Sequence, residues 1–83
     1  DMGTGDIDKV DFLLYPNPVN EVLNIASAST TEILYTITNI TGQTIDQGKI
    51  KDQKLDVRKL NKGVYLIELK QDHKRVVKKF IKK

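Results

Sequence analysis

Glu32-Ile33-Leu34-Tyr35-Thr36-Ile37-Thr38-Asn39 decides the fold. Ile33, Tyr35 and Ile37 fall on one face of an extended chain, and Glu32, Leu34, Thr36 and Thr38 on the other. This period of two is that of a strand with one face buried, and the β-branched content supports it. Thr41-Gly42 then marks a hairpin turn, with a return strand starting over Gln43 to Asp46. Gly48 is expected to interrupt that return as a bulge or tight loop.

Working towards the N-terminus, the small polar run Ser27 to Thr31 reads as a loop. Val22-Leu23-Asn24-Ile25-Ala26 reads as a strand. Before it, Pro16-Asn17-Pro18 stops the chain, because neither proline can donate to a ladder and each pushes its predecessor towards extended geometry. A first strand precedes the stop, with Val10, Phe12 and Leu14 alternating with Asp11, Leu13 and Tyr15. Residues 1–9 are expected to form a linker, and residues 10–83 the folded domain.

Towards the C-terminus, Leu55 and Val57 alternate with Asp56 and Arg58. Leu60-Asn61-Lys62-Gly63 reads as a turn, with Gly63 as its left-handed position. Val64 to Lys70 reads as a strand with Tyr65, Ile67 and Leu69 inward. Gln71 to Lys74 makes a polar turn, and Arg75 to Lys82 a last strand. Val76, Val77, Phe80 and Ile81 also fit helical spacing, but the stretch is short, β-branched and follows a turn. About seven short strands with closely spaced turns predict an all-β antiparallel sandwich.

The 83 residues suffice for one domain. A chain of that size buries only about 60–65% of its unfolded surface, which leaves little for a pocket of the roughly 300 Å³ that small-molecule sites need. There is no cysteine, so disulfides, thiolate metal sites and a cysteine nucleophile are all excluded. This does not decide the compartment. The opening Asp1-Met2-Gly3-Thr4-Gly5-Asp6 has neither a basic nor an apolar segment of a signal peptide. The chain therefore reads as a piece of a longer polypeptide. Charge is polarised: residues 1–42 hold six acids against one lysine, and residues 43–83 hold thirteen bases against five acids, for a net charge of +3.

The inventory for chemistry is thin. His73 is the one histidine and sits in a polar turn, where a Ser-His-Asp arrangement would need it held by packing. Asp6, Asp8 and Asp11 are spaced for a calcium loop but lack its glycine and closing glutamate. Gly3-Thr4-Gly5 lacks the strand and helix a phosphate loop needs. No catalytic residue, metal or cofactor is expected. Asn39-Ile40-Thr41 matches the glycosylation sequon and coincides with a hairpin end, which favours a turn role. Lys74, Arg75, Lys78, Lys79, Lys82 and Lys83 place six positive charges in ten residues. Nucleic-acid modules interleave exposed aromatics with such charge; here only Phe80 is available, and it fits the core. The alternatives are lysines that guard an edge strand and a basic handle for a partner.

Three pieces stand in order: Tyr15-Pro16-Asn17-Pro18-Val19 leading into Leu23-Asn24-Ile25; Asn39-Ile40-Thr41-Gly42-Gln43; and Leu55-Asp56-Val57, Leu60 and Gly63-Val64-Tyr65-Leu66-Ile67 before a lysine-rich end. Together they resemble the type A C-terminal sorting domain of the type IX (Por) secretion system of Bacteroidota. The resemblance implies an immunoglobulin-like sandwich that follows an N-terminal cargo domain. It implies carriage through the periplasm and across the outer membrane to the surface or the medium. The implied partners are the outer-membrane translocon and a sortase that removes the domain, with no enzyme activity and no membrane association beyond the export machinery. The residues carried over are Tyr15, Pro16, Asn17, Pro18, Gly42, Gly63 and Tyr65, with Lys78, Lys79, Phe80, Ile81, Lys82 and Lys83. Pro16 and Pro18 are expected to leave backbone unpaired for a receptor, and the last strand with its end to offer a handle for strand addition. The competing expectation is a retained sandwich module that binds carbohydrate or protein at the cell surface.

Overall fold

A computed structural model describes residues 12–27, 32–50 and 52–83. The expected linker over residues 1–9, the start of the first strand at Val10, most of the loop from Ser27 to Thr31, the Asp6-Asp8-Asp11 cluster and Gly3-Thr4-Gly5 lie outside the described residues. Among these residues seven strands follow one another: β1 (Leu13–Tyr15), β2 (Val22–Ala26), β3 (Ile33–Asn39), β4 (Thr44–Ile50), β5 (Lys54–Asp56), β6 (Gly63–Gln71) and β7 (Lys74–Lys82). All pair antiparallel, in one sheet of order β1-β2-β5 and another of order β4-β3-β6-β7. The fourth strand pairs with the third and the fifth crosses back to the second. This is the connectivity of immunoglobulin-like sandwiches whose fourth strand lies on the larger sheet.

The core is where the inward faces meet. Leu23 and Ile25 of β2 and Leu55 of β5 come from the small sheet. Ile33 and Ile37 of β3, Ile67 and Leu69 of β6 and Phe80 of β7 come from the large one. Phe12, Val19 and Val57 lie just outside strand ends and are equally buried. The predicted alternation of β3 and β6 is therefore observed. So is that of β1, where Leu14 packs on the core and Leu13 and Tyr15 face outward.

Tyr65 holds the corner that leads into β6. Its hydroxyl donates to the Asn61 carbonyl at 2.6 Å, four residues upstream. Its ring stacks on Phe80 of β7, with centroids 5.5 Å apart. This is the tyrosine corner of immunoglobulin-like sandwiches. Gly63, two residues before, has a φ of +153°, a positive value that side-chain-bearing residues rarely adopt.

The expectation for Gly48 is corrected. Gly48 sits within β4, in register with Tyr35. The irregularity lies earlier, where Ile37 pairs with Asp46 and Thr38 with Thr44, so Ile45 is the extra residue. Gly48 is small for a different reason. The Tyr35 ring lies over it, and a Cβ there would come within 3.3 Å of the ring. The Tyr35 hydroxyl then donates to Asp46 Oδ2 at 2.9 Å. Burial first, and Asp46 second, push the Tyr35 phenol from 10.0 up to about 12.

Two expectations follow. Tyr65→Phe leaves the Asn61 carbonyl without its donor and should cost about 1–2 kcal/mol in urea unfolding; an unchanged midpoint would remove the corner from the stabilising contacts. Neutral Tyr35 is favoured in the folded chain, so its contribution is complete below pH 10 and is lost as pH rises from 10 towards about 12. Tyrosinate absorbance should show one group titrating near the upper value, and Asp46→Asn should bring it down.

Candidate functional site

The carried-over residues gather in two places. Gly42 belongs to the β3–β4 turn, where it takes a φ of +89°. Asn39 organises that turn: its Oδ1 accepts from the backbone N–H of Thr41 and of Gln43, both at 3.0 Å, and from the Thr41 hydroxyl at 2.7 Å. Its amide donates to Gln43 Oε1 at 3.0 Å. The sequon residues are thus the hydrogen-bonded frame of the hairpin, as an Asx turn requires.

The second gathering joins the two ends of the domain. The chain leaves β1 through Pro16-Asn17-Pro18, with both X–Pro bonds cis, while the Asn24 amide holds the Tyr15 carbonyl at 3.1 Å. It then runs parallel beside the end of β7, at a single bridge between Val19 and Lys82. The Val19 N–H donates to the Ile81 carbonyl, and the Lys83 N–H donates to the Val19 carbonyl, both at 2.8 Å. The Ile81 N–H donates to Asn17 Oδ1 at 2.9 Å. Backbone just after the prolines is therefore engaged inside the domain. Sequence reasoning missed this clasp. The contacts span more than sixty positions, and a strand pattern carries no information about which distant segment it will meet.

The lysines of β7 divide between two faces. Lys78 and Lys82 share the inward face with Val76 and Phe80; Phe80 is fully buried and Lys82 is only 9% exposed. Arg75, Val77, Lys79 and Ile81 take the outward face. The expected basic row is thus a stripe on each side of an edge strand, and Phe80 is a core residue. Lys82 Nζ reaches the Lys83 carbonyl at 3.3 Å and lines a cleft of about 650 Å³ with Pro16, Pro18, Asn20, Glu21, Val22 and Arg58. Arg58 is claimed by Asp56, with Nε–Oδ1 at 3.1 Å and Nη2–Oδ2 at 2.7 Å. These bonds, with the Arg58 N–H to Oδ1, hold the Asp56 carboxyl down to about 2. On the outward face Arg75 pairs with Glu68.

The remaining inventory is plain. His73 is exposed in the β6–β7 turn. Among the described residues no cluster of three or more His, Asp or Glu could hold a metal ion. Of the five aromatics, Phe12, Phe80 and Tyr65 are buried, Tyr35 is half-buried and Tyr15 alone is exposed, so there is no aromatic row for a sugar.

The clasp makes a direct prediction. Asn17→Ala should leave the Ile81 N–H unpaired and speed its hydrogen exchange about tenfold. Asn17→Asp keeps the acceptor and should restore most of the protection. Equal exchange in all three proteins would show that the clasp is not formed in solution.

Comparison with known proteins bears on this arrangement. The family model described as secretion system C-terminal sorting domain matches residues 13–83. Beta-agarase D of Zobellia galactanivorans is 36% identical over 56 residues, which cover 68% of this chain. The chain spans 11% of the length of that protein.

Proposed function

Because the chain belongs to the family of secretion system C-terminal sorting domains, the sorting signals of type IX secretion, we propose that the clasped end of the domain is the part the export machinery reads. The family is not catalytic, and its members direct export to the surface or the medium. In this reading the partners are the outer-membrane translocon and a sortase that cuts upstream of β1, with residues 1–9 as the linker. The domain is a substrate and does no chemistry. Its cargo is the N-terminal remainder of a longer protein, and the match to an agarase suits a polysaccharide-degrading cargo.

One observation carries the reading. Two motifs that lie at opposite ends of the sequence, Tyr15-Pro16-Asn17-Pro18-Val19 and Lys78 to Lys83, touch each other through three hydrogen bonds, one at Asn17 and two at Val19. A receptor that reads this corner reads a folded domain with both ends in place, which a short linear tag cannot report. Exposed Lys79 and Lys83, with Ile81 at 40% exposure, are the groups it would meet.

The test separates recognition from folding. Removing the last five residues also removes Phe80, a fully buried core residue, so such a deletion destroys the fold as well as the signal. The pair Lys79→Glu and Lys83→Glu alters only exposed side chains. Residues 1–83 fused behind a periplasmic reporter should carry it to the surface in a bacterium with a type IX system. The double variant should keep its melting temperature within about 3 °C yet leave most of the reporter in the periplasm. Unchanged export would move recognition elsewhere on the domain. The mass of the exported reporter reports removal: loss of residues 12–83 supports the sortase, and an intact fusion contradicts it.

A further inference from the structure

β7 is an edge strand, and among the described residues only part of its open side is covered. Ile81 and Lys83 turn their outward backbone groups to Asn17 and Val19. By the two-residue period of a strand, Arg75, Val77 and Lys79 turn theirs the same way. Among the described residues no backbone group meets them. The open stretch runs from Arg75 to Lys79, about five residues or roughly 17 Å, and the clasp closes it at one end.

Beside this edge lies a groove of about 450 Å³, lined by Phe12, Leu13, Leu14, Asn17, Val77, Lys78 and Lys79. A strand laid along the edge would have one face towards the groove, with half-buried Lys78, and the other beside Val77 and Lys79. Val77 is 51% exposed. Arg75 is paired with Glu68, whereas neither Lys78 nor Lys79 has an acidic partner among the described residues.

We propose that the open edge of β7 from Arg75 to Lys79 takes up an extended acidic segment of a partner protein by strand addition, with carboxylates at two successive positions answering Lys78 and Lys79. Successive residues of an added strand point to opposite faces, so adjacent acids would reach the two lysines from either side. Main-chain bonds would give affinity and the charges specificity. A second copy of this chain suits the edge poorly. A two-fold pair centred on Val77 would set each Lys79 opposite the other copy's Arg75, and like charges directly opposed are destabilising. The inference rests on the reading of the last strand as the recognised end and names the chemistry of what reads it.

The probe is a blocked peptide Thr-Val-Asp-Glu-Val-Thr, with Thr-Val-Lys-Lys-Val-Thr as its counterpart, titrated into the 83-residue protein. The acidic peptide should shift the amides of Arg75, Val77 and Lys79 and bind at least about tenfold more tightly than the basic one. Lys78→Glu with Lys79→Glu should reverse that preference. Val77→Pro removes an outward N–H without touching the ladder to β6 and should abolish binding of either peptide. Equal binding of the two peptides, shifts confined to another edge, or a dimer through β7 in sedimentation would each overturn the proposal. If Val77→Pro unfolds the domain, the charge-reversal pair decides alone. Should the peptides fail while Lys79→Glu with Lys83→Glu still blocks export of the fused reporter, the sorting reading stands and the acidic strand falls.

Discussion

Three hydrogen bonds between the turn after β1 and the end of β7 close this sandwich. They join the segment that leaves the small sheet to the last strand of the large one. Among the described residues, no other backbone hydrogen bond joins the two sheets. Burial of Val19, fully excluded from solvent, depends on this closure. So does the position of Lys82, which is held inward on the strand whose backbone the clasp fixes. A side-chain amide is well suited to the task. Asn17 supplies an acceptor where Pro18 supplies no N–H, so the turn can approach the strand edge without burying an unpaired donor.

The rest of the fold shows how a small chain without disulfides reaches stability. Among the described residues, thirteen apolar side chains form one core between the sheets, and single polar contacts lock its margins. Tyr65 ties the β6 corner, Asn39 ties the β3–β4 turn, and Tyr35 covers the glycine of β4. Each of these side chains serves a backbone or a neighbour within the domain.

Charge is where structure and export meet. Alternation along β7 divides its lysines, so the basic character of the last ten residues is not a single surface. Some positive charge is already answered, Arg75 by Glu68 and Arg58 by Asp56. Such exposed pairs add little stability, but they decide which cations remain for a partner. Lys78 and Lys79 are among those without an acidic partner among the described residues, and they lie beside the part of the β7 edge that the clasp leaves open there.

The sequence by itself determined the strands, their inward faces and the family. Period-two alternation is local, so Ile33 and Ile37, and Ile67 and Leu69, could be placed on inward faces before any sheet was drawn. The family motifs are local too. Gly48 misled because glycine in a strand has two explanations, a break in the ladder or an aromatic ring overhead. Only the pairing of β3 with β4 distinguishes them, and that pairing also moved the bulge to Ile45. The tertiary structure alone decided that the Pro-Asn-Pro turn and the last strand are in contact. Their contact joins residues 64 positions apart. Which distant segments meet is set by how two sheets pack, and no pattern within either segment encodes it.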